Sequence, residues 1–183
     1  MRDALNATGR PTYYAMCNWG CEAPWLWAST VANSWRTTFD IKASWNSVVK
    51  NSNLNSDTWP YAAPGGFNDP DMLEVGVAQL TLAQQRTHFS VWAMMKAPLI
   101  LGCDVRTVAS DTVTILTNRK VLATNQDPLG QQAWRVGSGS LDIWVAPLTG
   151  GRAAVLVVGR GRLLMHKTTR VSVINDFPSS LSR

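Results

Sequence analysis

Short apolar runs alternate with polar clusters along the first two thirds of the chain. Residues 12–17 and 97–104 are almost wholly apolar, which is typical of strands buried on both faces of a parallel sheet. Two further strands are predicted, one within residues 33–41 and one ending near Asp69. Because a polar cluster follows each strand directly, the pattern predicts four successive strand–loop–helix units with functional side chains at the strands' carboxyl ends.

Helical patterns fill the segments between these strands. The clearest helix is predicted at residues 81–96, where apolar residues recur at helical spacing after Thr81, a residue suited to capping. Further helices are predicted at residues 2–7, 24–32, 44–49 and 110–116. Ser44 is suited to be an N-cap. The polar residues 51–60 are predicted to form a loop.

Beyond residue 132 the pattern becomes that of antiparallel β-structure. Residues 141–145 alternate apolar and polar positions, and residues 153–158 are apolar. We therefore predict two parts, α/β units in residues 1–132 and a partial antiparallel β domain in residues 133–183. A barrel and a doubly wound sheet both fit the first part, but no Gly-rich phosphate loop follows any of its strands.

The composition is that of a globular chain with enough apolar residues for a core. Hydrophobic residues make up 45% of the 183 residues, and no run of about 18 apolar residues predicts a membrane span. The first residues contain no apolar signal region. Cys17, Cys21 and Cys103 form neither a CxxC pair nor a disulfide framework, so free or buried thiols and no metal site are expected. Nine Trp residues are many, and tryptophans often line carbohydrate sites, although most of them pack in cores.

The net charge of +5 resides in the last segment of the chain. Residues 151–183 contain six Lys or Arg and one acid, whereas residues 1–150 contain eleven of each sign. A basic tail of this kind is one signature of nucleic-acid binding. The tail lacks regularly interleaved aromatic residues and any recognised nucleic-acid motif, so we expect no nucleic-acid partner.

Three carboxylates lie within six residues, at Asp69, Asp71 and Glu74. Glycines flank this segment, which predicts a strand that ends in a loop. Side chains two residues apart in an extended chain point to the same face, so Asp69 and Asp71 are expected to project together. A carboxylate pair of this kind is suited to acid–base chemistry. An Asp-rich turn that caps the next helix explains the same residues equally well.

Five motifs occur in an order that resembles the melibiase family of α-galactosidases. They are Cys17-Asn18-Trp19-Gly20, Asn33-Ser34-Trp35-Arg36 with Asp40-Ile41, Gly65-Gly66-Phe67-Asn68-Asp69-Pro70-Asp71-Met72-Leu73-Glu74-Val75-Gly76, Lys96-Ala97-Pro98-Leu99 and Asn125-Gln126-Asp127. Each motif alone is weak, but five in the same order over about residues 1–150 are a specific signal. The Cys-Asn-Trp-Gly form is most similar to fungal members.

The resemblance implies a (β/α)8 TIM barrel followed by an antiparallel β-sandwich. The chain then corresponds to the carboxyl-terminal half of the barrel and the start of the sandwich, as part of a longer protein. Open strand edges in such a half-barrel predict aggregation or pairing with a second copy. The resemblance further implies an extracellular, secretory or vacuolar parent with disulfide bonds, able to form a homo-oligomer, with no cofactor and no membrane partner.

The family's chemistry is retaining hydrolysis of terminal α-galactosyl residues by two aspartates. The resemblance assigns the acid/base role to Asp40 and sets Met72 beside the sugar ring. It assigns galactose binding to Cys17, Asn18, Trp19, Arg36 and Asp71. The family's nucleophile lies in a Lys-x-Asp motif on an earlier strand, and this sequence contains no such motif.

These residue types suit that chemistry. A retaining glycosidase needs two carboxyls about 5–5.5 Å apart across the scissile bond. One attacks the anomeric carbon, while the other protonates the leaving oxygen and then activates water. Arg36 and Asp40 follow the same strand, so both can reach a sugar. Without the resemblance, a structural Arg–carboxylate pair and a core-packed Trp19 would be the commoner explanations.

Three functions remain open at this point: an α-galactosidase acting on melibiose, raffinose-type sugars or galactomannan, a galactoside-binding remnant without turnover, and a structural domain with a basic tail. An α-N-acetylgalactosaminidase is disfavoured, because members that accept an acetamido group tend to carry a residue smaller than Asn18. Asp69 and Glu74 are expected to hold their loop, and His88 is expected to be a structural histidine. Asp104 follows the fourth strand without an assignable role.

Overall fold

The computed structural model describes residues 1–77, 79–137, 141–159 and 170–175. Its helices and strands, in chain order, are α1 (Arg2–Ala7), β1 (Ala15–Met16), β2 (Ser34–Arg36), α2 (Trp45–Ser56), β3 (Phe67–Asp69), α3 (Leu82–Met94), α4 (Ser110–Leu116), α5 (Arg119–Asn125), β4 (Trp134–Gly137), β5 (Leu141–Leu148), β6 (Arg152–Gly159) and β7 (Arg170–Ile174). Within these ranges, no helix has both the length and the apolar character needed to cross a membrane.

A three-stranded parallel sheet, in the order β1-β2-β3, forms the first layer. In its register, Trp35 lies opposite Asn68 and Arg36 lies opposite Asp69. These strands confirm three of the four predicted ones. All three run in the same direction, so the polar residues that follow them gather at one end of the sheet.

The prediction of a fourth strand at residues 97–104 is wrong for the described structure. Leu101 forms only an isolated parallel bridge to Leu73, and Ile100 is 57% exposed. The neighbouring chain turns sharply after β3, because Asp71 has a φ of 86°. Beyond that turn, Leu73 pairs with Leu101 at a single bridge and no ladder follows.

The first strand is shorter and more exposed than predicted. Of residues 12–17, only Ala15 and Met16 are in β1, and Ala15 is exposed. Within the described residues β1 pairs with β2 alone. Its other edge is therefore open. The run was expected to be buried on both faces, but one face, with Tyr14 and Met16, is half-buried and the other is exposed.

Two helices begin at the predicted caps. The Thr81 hydroxyl accepts a hydrogen bond from the Gln84 N–H at 3.3 Å, and the Gln84 side chain accepts from the Thr81 N–H at 2.9 Å, which completes a capping box for α3. The Ser44 hydroxyl accepts from the Ser47 N–H at the start of α2. The predicted helices at residues 2–7 and 110–116 are confirmed.

Two local predictions are wrong. Residues 51–60 were predicted to form a loop, but α2 continues through them to Ser56. The helix continues because its polar side chains are buried and hydrogen-bonded. Asn51, for example, donates to the carbonyls of Phe39 and Pro70 at 3.1 Å. The helix predicted at residues 24–32 is instead a pair of 3-10 turns, since the φ of −136° at Trp27 interrupts it.

The second sheet is antiparallel, in the order β4-β5-β6-β7. Its two longest strands, β5 and β6, join through a short turn at Thr149–Gly151. Trp144 and Leu156 from this sheet share a continuous apolar core with Phe89 and Trp92 from α3. The second sheet thus packs against the first part through α3, and the division at residues 132 and 133 remains a prediction.

Candidate active site

Arg36 is the centre of the site. It is the last residue of β2, and the alternation of a strand directs Arg36 to one face of the sheet while Trp35 points to the other. Its guanidinium lies 2.9 Å from Asp71 Oδ2 and 3.2 Å from Asp40 Oδ1. One cation therefore joins carboxylates that follow two neighbouring strands.

Asp71 is the buried member of this pair, with 7% of its surface exposed. Its Oδ2 also accepts from the Ile41 N–H at 2.7 Å, and its Oδ1 accepts from the Met72 N–H at 2.7 Å. Its carbonyl accepts from the buried Trp92 indole at 2.7 Å. These bonds hold a left-handed backbone conformation that a non-glycine residue seldom adopts.

Asp40 is the solvent-facing member, with 68% of its side chain exposed. Its Oδ1 accepts from Arg36 and also from the Trp19 indole N–H at 3.0 Å. Every hydrogen bond that the described residues give to Asp40 goes to Oδ1. Its Oδ2 accepts none of these bonds, and most of the Asp40 side chain is exposed.

Four of the six predicted site residues form this hydrogen-bonded group: Trp19, Arg36, Asp40 and Asp71. The other two, Cys17 and Asn18, lie on the loop after β1. Cys17 is an exposed free thiol, and Cys21 and Cys103 are free as well, so the chain contains no disulfide bond of its own. Asn18 directs its amide into the loop, where Nδ2 donates to the Cys21 carbonyl at 2.6 Å while Oδ1 is buried.

The neighbouring polar residues shape the loop after β3. Asp69 accepts from the Asp71 N–H at 2.8 Å, and burial raises the pKa of Asp69 although Arg36 opposes this change. Burial and the charge of Asp71 likewise raise the pKa of Glu74. His88 Nε2 accepts from the Glu74 N–H at 3.0 Å. Burial lowers the pKa of His88 to about 3, so its imidazole is neutral near pH 7.

A buried polar network lies on the opposite face of the sheet. The Trp35 indole donates to Asn68 Oδ1 at 2.7 Å, Asn68 Nδ2 donates to Gln132 Oε1 at 2.9 Å, and Gln132 donates to the Asn55 carbonyl at 2.8 Å. None of these four side chains reaches solvent. Strand alternation could have identified this pairing, because the side chains of Trp35 and Asn68 point to one face of the sheet and those of Arg36 and Asp69 point to the other.

One cavity lies away from this group. A cavity of about 360 Å³ is lined by residues that precede β1 and β3, including Tyr13 and Gly65, and by Lys96. The Lys96 amine donates to the Thr124 carbonyl, and burial lowers its pKa to about 8. Among the described residues, no three His, Cys, Asp or Glu side chains are grouped to hold a metal ion.

Sequence comparison finds relatives that are named alpha-galactosidases. The family model described as alpha galactosidase A matches residues 1–127. The chain is 50% identical over 164 residues to alpha-galactosidase 3 of Arabidopsis thaliana, and 46% identical over 161 residues to an alpha-galactosidase of Cyamopsis tetragonoloba. Each match covers 87% of this chain but only 38% and 39% of the relatives, so the chain spans about two fifths of their length.

Solved structures give the same family. Alpha-galactosidase I from Mortierella vinacea superposes with a TM-score of 0.85 at 35% identity, over 88% of this chain and 46% of the other. The alpha-galactosidase of Saccharomyces cerevisiae, solved with raffinose, superposes with a TM-score of 0.79 at 33% identity, over 88% of this chain and 43% of the other. The parallel sheet, its polar end and the following antiparallel sheet therefore belong to a chain of the melibiase family of α-galactosidases.

Proposed function

We propose that this chain contributes the acid/base part of an α-galactosidase site, which hydrolyses terminal α-galactosyl residues with retention of configuration. The observation that carries the proposal is the Arg36 guanidinium that joins Asp40 to Asp71 at the carboxyl ends of two parallel strands. Family membership and the names of the relatives support the same activity.

Asp40 is the acid and base of this mechanism. Its Oδ1 already accepts hydrogen bonds from Arg36 and Trp19, which leaves Oδ2 to carry the transferable proton. In the first step Oδ2 protonates the oxygen of the leaving group. In the second step the same oxygen removes a proton from the attacking water.

Arg36 and Asp71 bind and orient the galactosyl unit. A carboxylate has about four lone-pair sites, and Asp71 uses three of them on Arg36, Ile41 and Met72. One site remains to accept a sugar hydroxyl. A carboxylate so fully bonded is a poor nucleophile, so Asp71 is not expected to attack the anomeric carbon.

The nucleophile is expected in a part of the fold outside this sequence. The chain contains no Lys-x-Asp motif, and its parallel sheet with one further bridge supports half of a (β/α)8 barrel, in residues 1–132, ahead of a partial β domain in residues 133–183. We therefore expect the chain alone to bind galactosides without useful turnover. Raffinose-type sugars are the expected substrates of the whole enzyme, by similarity to the yeast enzyme solved with raffinose.

A galactoside-binding protein without turnover is the second candidate. It is favoured because the chain retains the Arg36–Asp71 pair proposed to bind galactose but contains no Lys-x-Asp motif. The two candidates differ only in whether an upstream half ever completes the site.

The proposal is tested by assaying an aryl α-galactoside with the purified chain and with the chain joined to the upstream half of the Arabidopsis relative. We expect activity only from the joined protein. Comparable activity from the chain alone would contradict the proposal and assign nucleophilic attack to a carboxylate within this sequence. Inactivity of a folded joined protein would favour the binding candidate.

A further inference from the structure

One face of helix α3 carries polar atoms although it is buried. Gln85, His88 and Trp92 lie three and four residues apart, a spacing that places them in one row along the helix. His88 and Trp92 are fully buried, and Gln85 is nearly so. A helix face that only had to fill a core would carry apolar side chains, whereas buried polar atoms require hydrogen-bond partners.

The partners of this row are backbone groups of the loop that follows β3. Each side chain makes one such bond, and successive bonds lie about one helical turn apart. The bonds join the Trp92 indole N–H to the Asp71 carbonyl at 2.7 Å, the Glu74 N–H to His88 Nε2 at 3.0 Å, and the Gly76 N–H to Gln85 Oε1 at 3.2 Å. The helix and the loop run in opposite directions, so the row holds the loop at three successive points.

The bond from Trp92 is made at a strained residue. Asp71 has a φ of 86°, in the left-handed region that non-glycine residues seldom adopt. The peptide group between Asp71 and Met72 is held on both sides, because the Trp92 indole bonds its oxygen and Asp71 Oδ1 accepts from its N–H. Rotation of this peptide would break both bonds and release the carboxylate that lies 2.9 Å from Arg36.

We propose that Trp92 and His88 are positioning residues of the galactose site, which hold the Asp71 carboxylate in its binding orientation through the backbone of the loop. The inference rests on the proposed function, in which Asp71 and Arg36 bind the galactosyl unit. It extends that function to two side chains that are fully buried and so act only through the loop.

A contribution to stability alone would have different consequences. Loss of the row would then lower the fraction of folded chain, while the molecules that remain folded would bind a galactoside with unchanged affinity. Positioning predicts weaker binding by the folded molecules themselves. It also predicts faster hydrogen exchange of the Ile41 and Met72 N–H groups, since both donate to the Asp71 carboxylate at 2.7 Å.

The test compares variants of the 183-residue chain by NMR at pH 7, under conditions in which each variant is folded. Trp92→Phe retains a ring but removes the indole donor, and His88→Leu removes the acceptor for the Glu74 N–H. In both variants we expect methyl α-galactoside to bind about five- to tenfold more weakly. We also expect exchange of the Ile41 and Met72 N–H groups to be about tenfold faster.

Two further variants are the controls. His88→Gln should keep the original affinity to within about twofold, because its side-chain oxygen can still accept from the Glu74 N–H. Phe89→Leu is the matched control for packing, since Phe89 is 2% exposed on the same helix and its side chain has no hydrogen-bonding atom. We expect it to lower stability but to leave the affinity of the folded chain unchanged.

The outcomes separate the positioning role from the proposed site. Unchanged affinity in the folded Trp92→Phe and His88→Leu chains would overturn the positioning role and leave the galactose site standing. Weaker binding without faster exchange at Ile41 and Met72, or an equal loss of affinity in Phe89→Leu, would also overturn it. Absence of methyl α-galactoside binding to the folded, unmodified chain would overturn the proposed galactose site and the positioning role with it.

Discussion

Arg36 carries a positive charge at a position where only 13% of its side chain reaches solvent. Its two carboxylate partners differ greatly in environment, since the Asp71 side chain is 9% exposed and the Asp40 side chain is 68% exposed. The same guanidinium therefore takes part in a buried ion pair that supports the fold and in an exposed one that contains the proposed acid/base residue.

This difference predicts unequal effects on stability. Asp71→Ala would leave two backbone N–H groups without their acceptor and would leave Arg36 with the exposed Asp40 as its partner, so we expect a loss of about 3–5 kcal/mol. Asp40→Ala removes only an exposed partner and should cost about 1 kcal/mol or less. Urea denaturation of both variants measures the contrast. Similar losses would mean that Asp71 is not the buried anchor of the site.

His88 predicts how stability depends on pH. Its pKa is 6.5 in an ordinary environment and about 3 in the fold, so the unfolded chain takes up a proton that the folded chain excludes. Stability should fall as the pH drops below 6.5, with a slope approaching about 1.4 kcal/mol per pH unit. Asp69 and Glu74 act in the opposite sense, since their raised pKa values favour the folded state in acid.

The measurement is urea denaturation between about pH 5.5 and 6.5, just below the ordinary pKa of histidine. His88→Gln is the matched variant, because its side-chain oxygen can still accept from the Glu74 N–H but does not titrate. A slope that persists unchanged in this variant would show that another group is responsible.

At the scale of single elements, the capping box gives α3 a defined start. Thr81→Ala removes the hydroxyl that accepts from the Gln84 N–H, and we expect a loss of about 1 kcal/mol. Thr81→Ser retains the hydroxyl, so its free energy of unfolding should fall by only about a few tenths of that amount. Thermal or urea denaturation measures both. If the two substitutions cost the same, the cap contributes nothing and packing alone fixes the helix start.

The same elements show what sequence can predict. Thr81 and Ser44 were found from sequence because capping depends on neighbours within four residues. The continuation of α2 through Asn51 and Asn55 could not be found in this way, because asparagine favours loops unless other groups satisfy its hydrogen bonds. The partners of Asn51 are the carbonyls of Phe39 and Pro70, which lie outside the helix. Local signals identify helix starts, whereas buried polar contacts decide where this helix ends.

The candidate site divides in the same way. Arg36 and Asp40 lie four residues apart, so sequence motifs could associate them. Their link to Asp71 depends on strands β2 and β3 pairing in parallel, which the repeated strand-and-cluster order predicts. No sequence motif predicts that the ring of Phe39 is exposed, because exposure is a property of the whole fold.

For the whole molecule, the open edges of the parallel sheet predict self-association. Tyr13 and Ile100 flank the sheet and are each more than half exposed. Exposed apolar edges are templates for strand pairing. Sedimentation velocity at tens of micromolar protein is expected to show dimers or larger species, shifted toward monomer by Ile100→Lys. A monomeric chain with one cooperative melt would contradict the half-barrel architecture.

The core that α3 shares with the antiparallel sheet was not predictable from sequence. Trp144 and Leu156 belong to a segment with a different periodicity from α3, and nothing in either pattern specifies that they meet. Packing across the two sheets therefore emerges only in three dimensions. It makes the second sheet part of the support for the helix whose Trp92 indole holds Asp71.

The central claim is that Asp40 is the acid and base of an α-galactosidase site. The most direct measurement is the rate of aryl α-galactoside hydrolysis by the chain joined to the upstream half of a relative, with and without Asp40→Asn. Asp104→Asn is the matched control, because Asp104 is also exposed and paired with an arginine, Arg106, at 2.7 Å. We predict that Asp40→Asn lowers the rate about 10²- to 10⁴-fold and that Asp104→Asn leaves it unchanged. Full activity in the Asp40→Asn protein would contradict the account.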